Sequence, residues 1–228
     1  MQFLRRYFID FMKRKQFGQI IREDGPESHF KKRGTPTMGG VFMLGSIFAT
    51  ALICGNFLSL PLLITLGVTF SFFILGFLDD LAKVLKKNTK GVSAKGKLLW
   101  QFATAFVAMF IMVQYKVIST QVYFPFLKAP MIDIGYLYIL FGAIVIVGFS
   151  NAVNLTDGLD GLAIGPIMIS SATMGLLAYV SGHKEFSQYL YIPYIEGIGE
   201  LTVLTSAIIG AGIGFLWYKN CFHGVSEC

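Results

Sequence analysis

No charged side chain occurs between Gly34 and Leu78. Those forty-five residues exceed one membrane crossing, which takes ~20 apolar residues for a hydrocarbon core about 30 Å thick, and they fit two. Gly55-Asn56 and Pro61 supply the turn between them. This run commits the chain to lipid, and the composition agrees: 14% of the residues are charged, against ~25% in a soluble domain. The chain is an integral membrane protein.

Further apolar segments follow at about Leu98–Tyr115, Ile134–Asn151, Leu162–Ser181 and Leu201–Tyr218. The expected fold is all-α, a polytopic transmembrane helical bundle of about six spans. Residues 1–218 read as a single membrane domain and 219–228 as an atypical tail. Ahead of the first span, Phe3, Leu4, Tyr7, Phe8, Phe11 and Met12 fall at helical spacing among basic residues, the pattern of a short interfacial helix. The first thirty-three residues are basic rather than apolar, so no cleavable signal peptide is indicated. Cys54, Cys221 and Cys228 form no CxxC pair, and His29, His183 and His223 offer no ligand spacing. Neither a disulfide framework nor a zinc site is expected. Trp100 and Trp217 fall near span ends, where aromatic belts anchor a helix.

Sixteen of the 19 Lys and Arg lie in residues 1–33, in 79–97 or at Lys219, and the other three are Lys116, Lys128 and Lys184. The positive-inside rule then puts both termini and the 79–97 loop in the cytoplasm. A net charge of +6 on a soluble protein would suggest nucleic acid. Here the basic residues sit in flanks and loops, so membrane lipids with anionic head groups or a phosphorylated substrate are the expected partners, and nucleic acid is not. This orientation gathers Gly34–Gly40, Asp79-Asp80, the lysine loop and Asn151–Gly161 on one membrane face.

Asn151, Asn154, Asp157 and Asp160 recur at every third residue, with Gly158 and Gly161 between and after the two Asp. On a helix such residues drift slowly around one face. An ionised group near mid-membrane costs ~2.5–3.5 kcal/mol even on lenient scales, so these carboxylates must face water, a cation or a polar ligand. Helix capping accounts for one such residue and not four. Asp79-Asp80 closes the second span at the negative end of a helix dipole, which calls for a cation; Lys83 or a divalent metal would serve. Mg²⁺ suits the arrangement because it takes one or two carboxylates together with phosphate oxygens. Lys83, Lys86, Lys87, Lys90, Lys95 and Lys97 read either as a lipid-facing loop or as point charges for phosphate. Gly34-Thr35-Pro36-Thr37-Met38-Gly39-Gly40 offers backbone N–H groups and hydroxyls to an anion, without the order of a Walker A loop.

Taken together, Arg22-Glu23-Asp24-Gly25-Pro26-Glu27-Ser28-His29, Lys31-Lys32, the Gly34–Gly40 motif, Phe77-Leu78-Asp79-Asp80, Asn151–Ala163 and Phe215-Leu216-Trp217-Tyr218 closely resemble the phospho-N-acetylmuramoyl-pentapeptide transferase family, also called translocase I. The match runs in order from about Phe17 to Tyr218. The Thr35-Pro36-Thr37-Met38 form favours this family over related polyprenyl-phosphate N-acetylhexosamine-1-phosphate transferases.

The resemblance implies a bacterial cytoplasmic-membrane enzyme of peptidoglycan synthesis with its active face in the cytoplasm. Phospho-MurNAc-pentapeptide would pass from UDP-MurNAc-pentapeptide to undecaprenyl phosphate, giving lipid I and UMP, with Mg²⁺ as cofactor; a homodimer is compatible with it. By motif, Asp79, Asp80 and Asp157 would be the catalytic and metal-site carboxylates. Gly158, Leu159 and Asp160 would line the uridine pocket with Asn151 and Asn154 nearby, Lys32 and Thr37 would close it, and Lys83, Lys95 and Lys97 match basic positions of the following loop. The family normally has ten spans, so this chain is expected to lack spans at both ends, together with a third acidic motif and a later His-rich loop. Its last ten residues resemble frameshift read-through, and a non-catalytic truncated piece of the enzyme is the alternative reading of the 228-residue chain. A small transporter is the remaining reading, but it would place its carboxylates near the midplane with repeat symmetry.

Overall fold

The computed structural model describes residues 39–85, 91–122, 132–157 and 162–222. Seven α-helices occur among them: α1 Gly39–Cys54, α2 Leu60–Leu85, α3 Ala94–Gln114, α4 Leu137–Thr156, α5 Ile164–Ser181, the short α6 Lys184–Tyr189 and α7 Leu201–Phe222. Five of them (α2, α3, α4, α5 and α7) are long and apolar enough to cross a membrane. The sixth expected crossing corresponds to α1, of which 16 residues are described, a rise of ~24 Å at 1.5 Å per residue. The polytopic all-α reading stands, and the elements fall in the expected order. The interfacial helix expected before residue 34 lies outside the described residues. The 219–228 tail begins inside α7, which runs to Phe222.

The turn expected around Gly55 and Pro61 is there. Gly55 N–H bonds the Ala51 carbonyl to close α1. Ser59 then caps α2, its hydroxyl accepting from Leu62 N–H at 3.3 Å and donating to the Gly197 carbonyl at 2.8 Å. Pro61 sits in the first turn, where its missing N–H costs nothing. Gly197 adopts φ +75° to present that carbonyl, a conformation only glycine takes freely. Nearby, the Glu200 carboxylate accepts from Asn56 N–H at 3.2 Å.

The far end of α2 corrects the sequence reading. Asp79-Asp80 does not end the helix, which continues to Leu85. The reason is local: Lys83 pairs with both carboxylates across one turn, so the charges are met without leaving the helix.

Two buried clusters organise the bundle. Ile47 and Ala51 of α1, Leu62 and Leu66 of α2 and Leu204 of α7 form one. Ala105 of α3 with Ala143 and Val147 of α4 form the other. Lipid offers helices no hydrophobic reason to associate, so close approach at small residues takes over. Gly175 of α5 packs on Thr205 of α7, and Gly212 of α7 on Met168 of α5. Ser71 of α2 bonds Thr104 of α3 at 2.8 Å and accepts from the Trp100 indole N–H at 2.9 Å. Trp100 therefore links two helices, beyond the anchoring role read from its position.

One feature is not helical. Gln121–Val122 (β1) and Ile132–Asp133 (β2) pair antiparallel between α3 and α4. Asp133 accepts from the Thr120 hydroxyl at 2.6 Å and from Gly135 N–H at 2.9 Å, which fixes the exit into α4.

Candidate functional site

The bundle end where α2 finishes and Gly91–Ser93 lead into α3 gathers the polar motifs. Asp79, on the last turns of α2, is only 6% exposed. Its Oδ2 is 2.7 Å from Lys83 Nζ and 2.7 Å from Lys97 Nζ, and its Oδ1 accepts from Val92 N–H at 2.8 Å. Gly91 makes this closure sterically feasible, since a Cβ there would overlap the Asp79 carboxylate. The arrangement follows from chain order. Lys83 stands one turn along α2, and Lys97 lies on the first turn of α3 across a short connection, with Ser93 capping α3 by accepting from Gly96 N–H at 3.2 Å.

Asp80 differs from its neighbour. Its side chain is 49% exposed and meets Lys83 at 3.1 Å. The four charges on Asp79, Asp80, Lys83 and Lys97 cancel. An incoming phosphate therefore gains attraction from this cluster only when a lysine turns from carboxylate to ligand, or when a cation joins. Lys95, exposed on the first turn of α3, stands outside the cluster.

One turn further along α3, Gln101 accepts from Asn151 of α4 at 2.8 Å. This contact brings the end of α4 beside the start of α3, and so beside Asp79. The three-residue drift read from the sequence is visible here. Asn151 faces α3, Asn154 is exposed, and Asp157 at the C-cap of α4 turns toward α5, where its Oδ1 accepts from Ala163 N–H at 3.4 Å. Asp157 is thus the C-cap residue of α4 and, through this long contact, a carboxylate near the start of α5, where negative charge is favourable. Lys32, Thr37, Gly158, Leu159 and Asp160 lie outside the described residues.

Among the described residues, no three His, Cys, Asp or Glu side chains converge to hold a metal ion. The donor set nonetheless discriminates between the carboxylates. Both Asp79 oxygens are engaged by two ammonium groups and an amide, whereas Asp80 and Asp157 keep open lone pairs. Mg²⁺ that retains most of its waters suits one or two such carboxylates.

Gln101 escaped the sequence reading. A lone Gln within an apolar span was the available signal, but only its partner fifty residues away gives it meaning.

The phospho-N-acetylmuramoyl-pentapeptide-transferase signature 1 matches residues 32–44. A curated relative from Desulfotalea psychrophila, named phospho-N-acetylmuramoyl-pentapeptide-transferase, is 48% identical over 218 residues, which is 95% of this chain and 60% of the relative. The chain thus spans about 60% of the length of the relative it matches. The profile described as Glycosyl transferase family 4 covers residues 62–224, well over half of the chain and every spanning helix of the site, and the chain belongs to that family.

Proposed function

We propose that the protein transfers phospho-MurNAc-pentapeptide from its UDP carrier to undecaprenyl phosphate, releasing UMP and forming lipid I at the cytoplasmic face of the bacterial inner membrane. The observation that carries this reading is the 48% identity to a named transferase across 95% of the chain, which spans all of the elements that hold Asp79, Lys97, Asn151 and Asp157. The excess of Lys and Arg on one side of the membrane supports the orientation.

The residues suit a displacement between two anions. An oxygen of the lipid phosphate attacks the sugar-bearing phosphorus of the UDP-sugar. A new P–O bond forms, the diphosphate bridge breaks, and its oxygen leaves with UMP. Such chemistry depends on positioning and charge neutralisation more than on covalent participation by the protein. Lys83 and Lys97 stand ready to exchange Asp79 for phosphate oxygens, and Asp79 keeps both ammonium groups in place until then. Bound Mg²⁺, held by Asp80 and Asp157 through their open oxygens, would offset charge on the diphosphate. Asp160 with Gly158 and Leu159 would receive the uridine, closed over by Lys32 and Thr37, with Asn151 and Asn154 alongside.

The test is a transfer assay of the purified protein with UDP-MurNAc-pentapeptide, undecaprenyl phosphate and Mg²⁺. Lipid I and UMP should appear in equal amounts, and Asp80→Asn should reduce turnover about a hundredfold, the usual scale for a lost charge stabiliser. Turnover of UDP-N-acetylglucosamine instead would assign the chain to the related hexosamine phosphate transferases.

A further inference from the structure

The seam between α3 and α4 is apolar around Ala105, Ala143 and Val147, yet it holds a pair of amides. Gln101 is 9% exposed, at a depth where an amide without a partner is strongly disfavoured. Its Oε1 accepts one Asn151 Nδ2 proton at 2.8 Å, and the other goes to the Val147 carbonyl at 2.8 Å. A backbone carbonyl can only accept, so the Asn151 atom facing Val147 must be nitrogen, and the amide has one allowed orientation. With both protons committed, the free hydrogen-bonding atom of Asn151 is Oδ1, an acceptor. On α3, Gln101 lies one turn from Lys97, a rise of ~6 Å, and Lys97 is the residue that reaches across to Asp79. One helix face therefore sets the spacing between the Asn151 acceptor and the lysine–carboxylate cluster.

We propose that Gln101 is a positioning residue, which by taking the second Asn151 proton locks the amide in the orientation the Val147 carbonyl dictates, so that Asn151 meets the ligand with its carbonyl oxygen and selects a hydrogen-bond donor there, an imide N–H or a hydroxyl. The clamp follows from the amide geometry; that a ligand meets Asn151 there, and its nucleotide character, rest on the function proposed above. A Gln serving merely to hold α3 against α4 would affect stability without controlling what Asn151 presents.

Two readings on the full chain in detergent separate these cases. Side-chain amide exchange at Asn151 is followed by NMR on protein carrying ¹⁵N-asparagine, the signal being assigned by its loss in Asn151→Asp. UMP affinity is measured by calorimetry on the same samples. Gln101→Leu should speed exchange at least ~tenfold and weaken UMP about three- to tenfold, the scale of one hydrogen bond. Gln101→Glu, whose carboxyl buried in this apolar seam stays protonated and keeps an acceptor facing Asn151, should hold both values within about twofold of the parent. Where Gln101→Leu does not fold, Gln101→Met keeps the length without the acceptor and takes its place. Exchange at Asn151 as fast as at exposed Asn154 in the parent would overturn the clamp, as would an exchange rate unmoved by Gln101→Leu. Accelerated exchange with unchanged UMP affinity would overturn its connection to the ligand. If the parent binds no UMP, the nucleotide reading fails instead, and the exchange comparison still decides the clamp.

Discussion

Replacing Gly91 with alanine adds one methyl group and isolates the closure over Asp79. Gly91 does not occupy the left-handed region, so alanine meets no backbone penalty there. Alanine would even stabilise by ~0.4–1 kcal/mol through the unfolded chain. The obstacle is steric, because the new Cβ would overlap the Asp79 carboxylate. That carboxylate is packed between α2 and the connection to α3, so it must rotate or the 91–93 segment must lift. Either movement breaks the 2.8 Å bond from Val92 N–H. A hydrogen bond to a charged group is worth about 1.5–3 kcal/mol. The Lys97 pair adds little, since the lysine is 36% exposed and such pairs give ~0–1 kcal/mol. The net loss is about 1–2 kcal/mol, which for a chain of this length lowers Tm by about 2–8 °C. Gly76→Ala is the matched control: nothing lies within 4 Å of a Cβ there, and alanine inside a helix should hold or raise Tm. Thermal unfolding in one detergent, followed by circular dichroism, compares the three proteins. Equal melting for Gly91→Ala and the parent would show that the loop does not close on Asp79 as described.

Two further outcomes are expected. In intact cells and in a Cys54→Ser background that removes the exposed native thiol, Lys184→Cys should react with an impermeant maleimide and Lys90→Cys should not; labelling at position 90 from outside would reverse the proposed orientation. The Thr120 hydroxyl and Gly135 N–H hold the Asp133 carboxyl below the usual carboxylate range. A folded value below the unfolded one means that its contribution is present above the ordinary Asp range and is lost as pH falls through the depressed value. Exchange protection at Gly135 should therefore fade only at pH below about 4, and Asp133→Asn should flatten that limb; protection lost already near neutral pH would refute it.

The helices were legible because crossing a membrane demands long apolar runs, and the runs at Leu98–Tyr115 and Leu162–Ser181 nearly coincide with α3 and α5. Polar positions were harder. Asp79-Asp80 looked like a helix end because charge normally stops a span, but pairing with Lys83 lets α2 continue. Gln101 was invisible for the opposite reason: a single amide has no pattern, and its meaning depends on a contact between helices. Gly91 gave no signal either, since nothing local to the loop announces that a carboxylate twelve residues earlier fills the space of its missing side chain. The β1–β2 ladder is too short for alternation to reveal.

Helix α2 reaches from one buried cluster to the other end of the molecule. Its foot is set by Ser59 on Gly197 and by Leu62, which is fully buried, and its head carries Asp79. Between Leu62 and Asp79 lie ~26 Å of continuous helix, which acts as a stiff lever. A tilt of about 5° at the foot would swing the head by roughly 2 Å, enough to pull a 2.7 Å ion pair beyond contact range. The geometry of the charge cluster is thus calibrated at the opposite end of the bundle, and alterations around Gly197, far from any ligand, should be felt at Asp79.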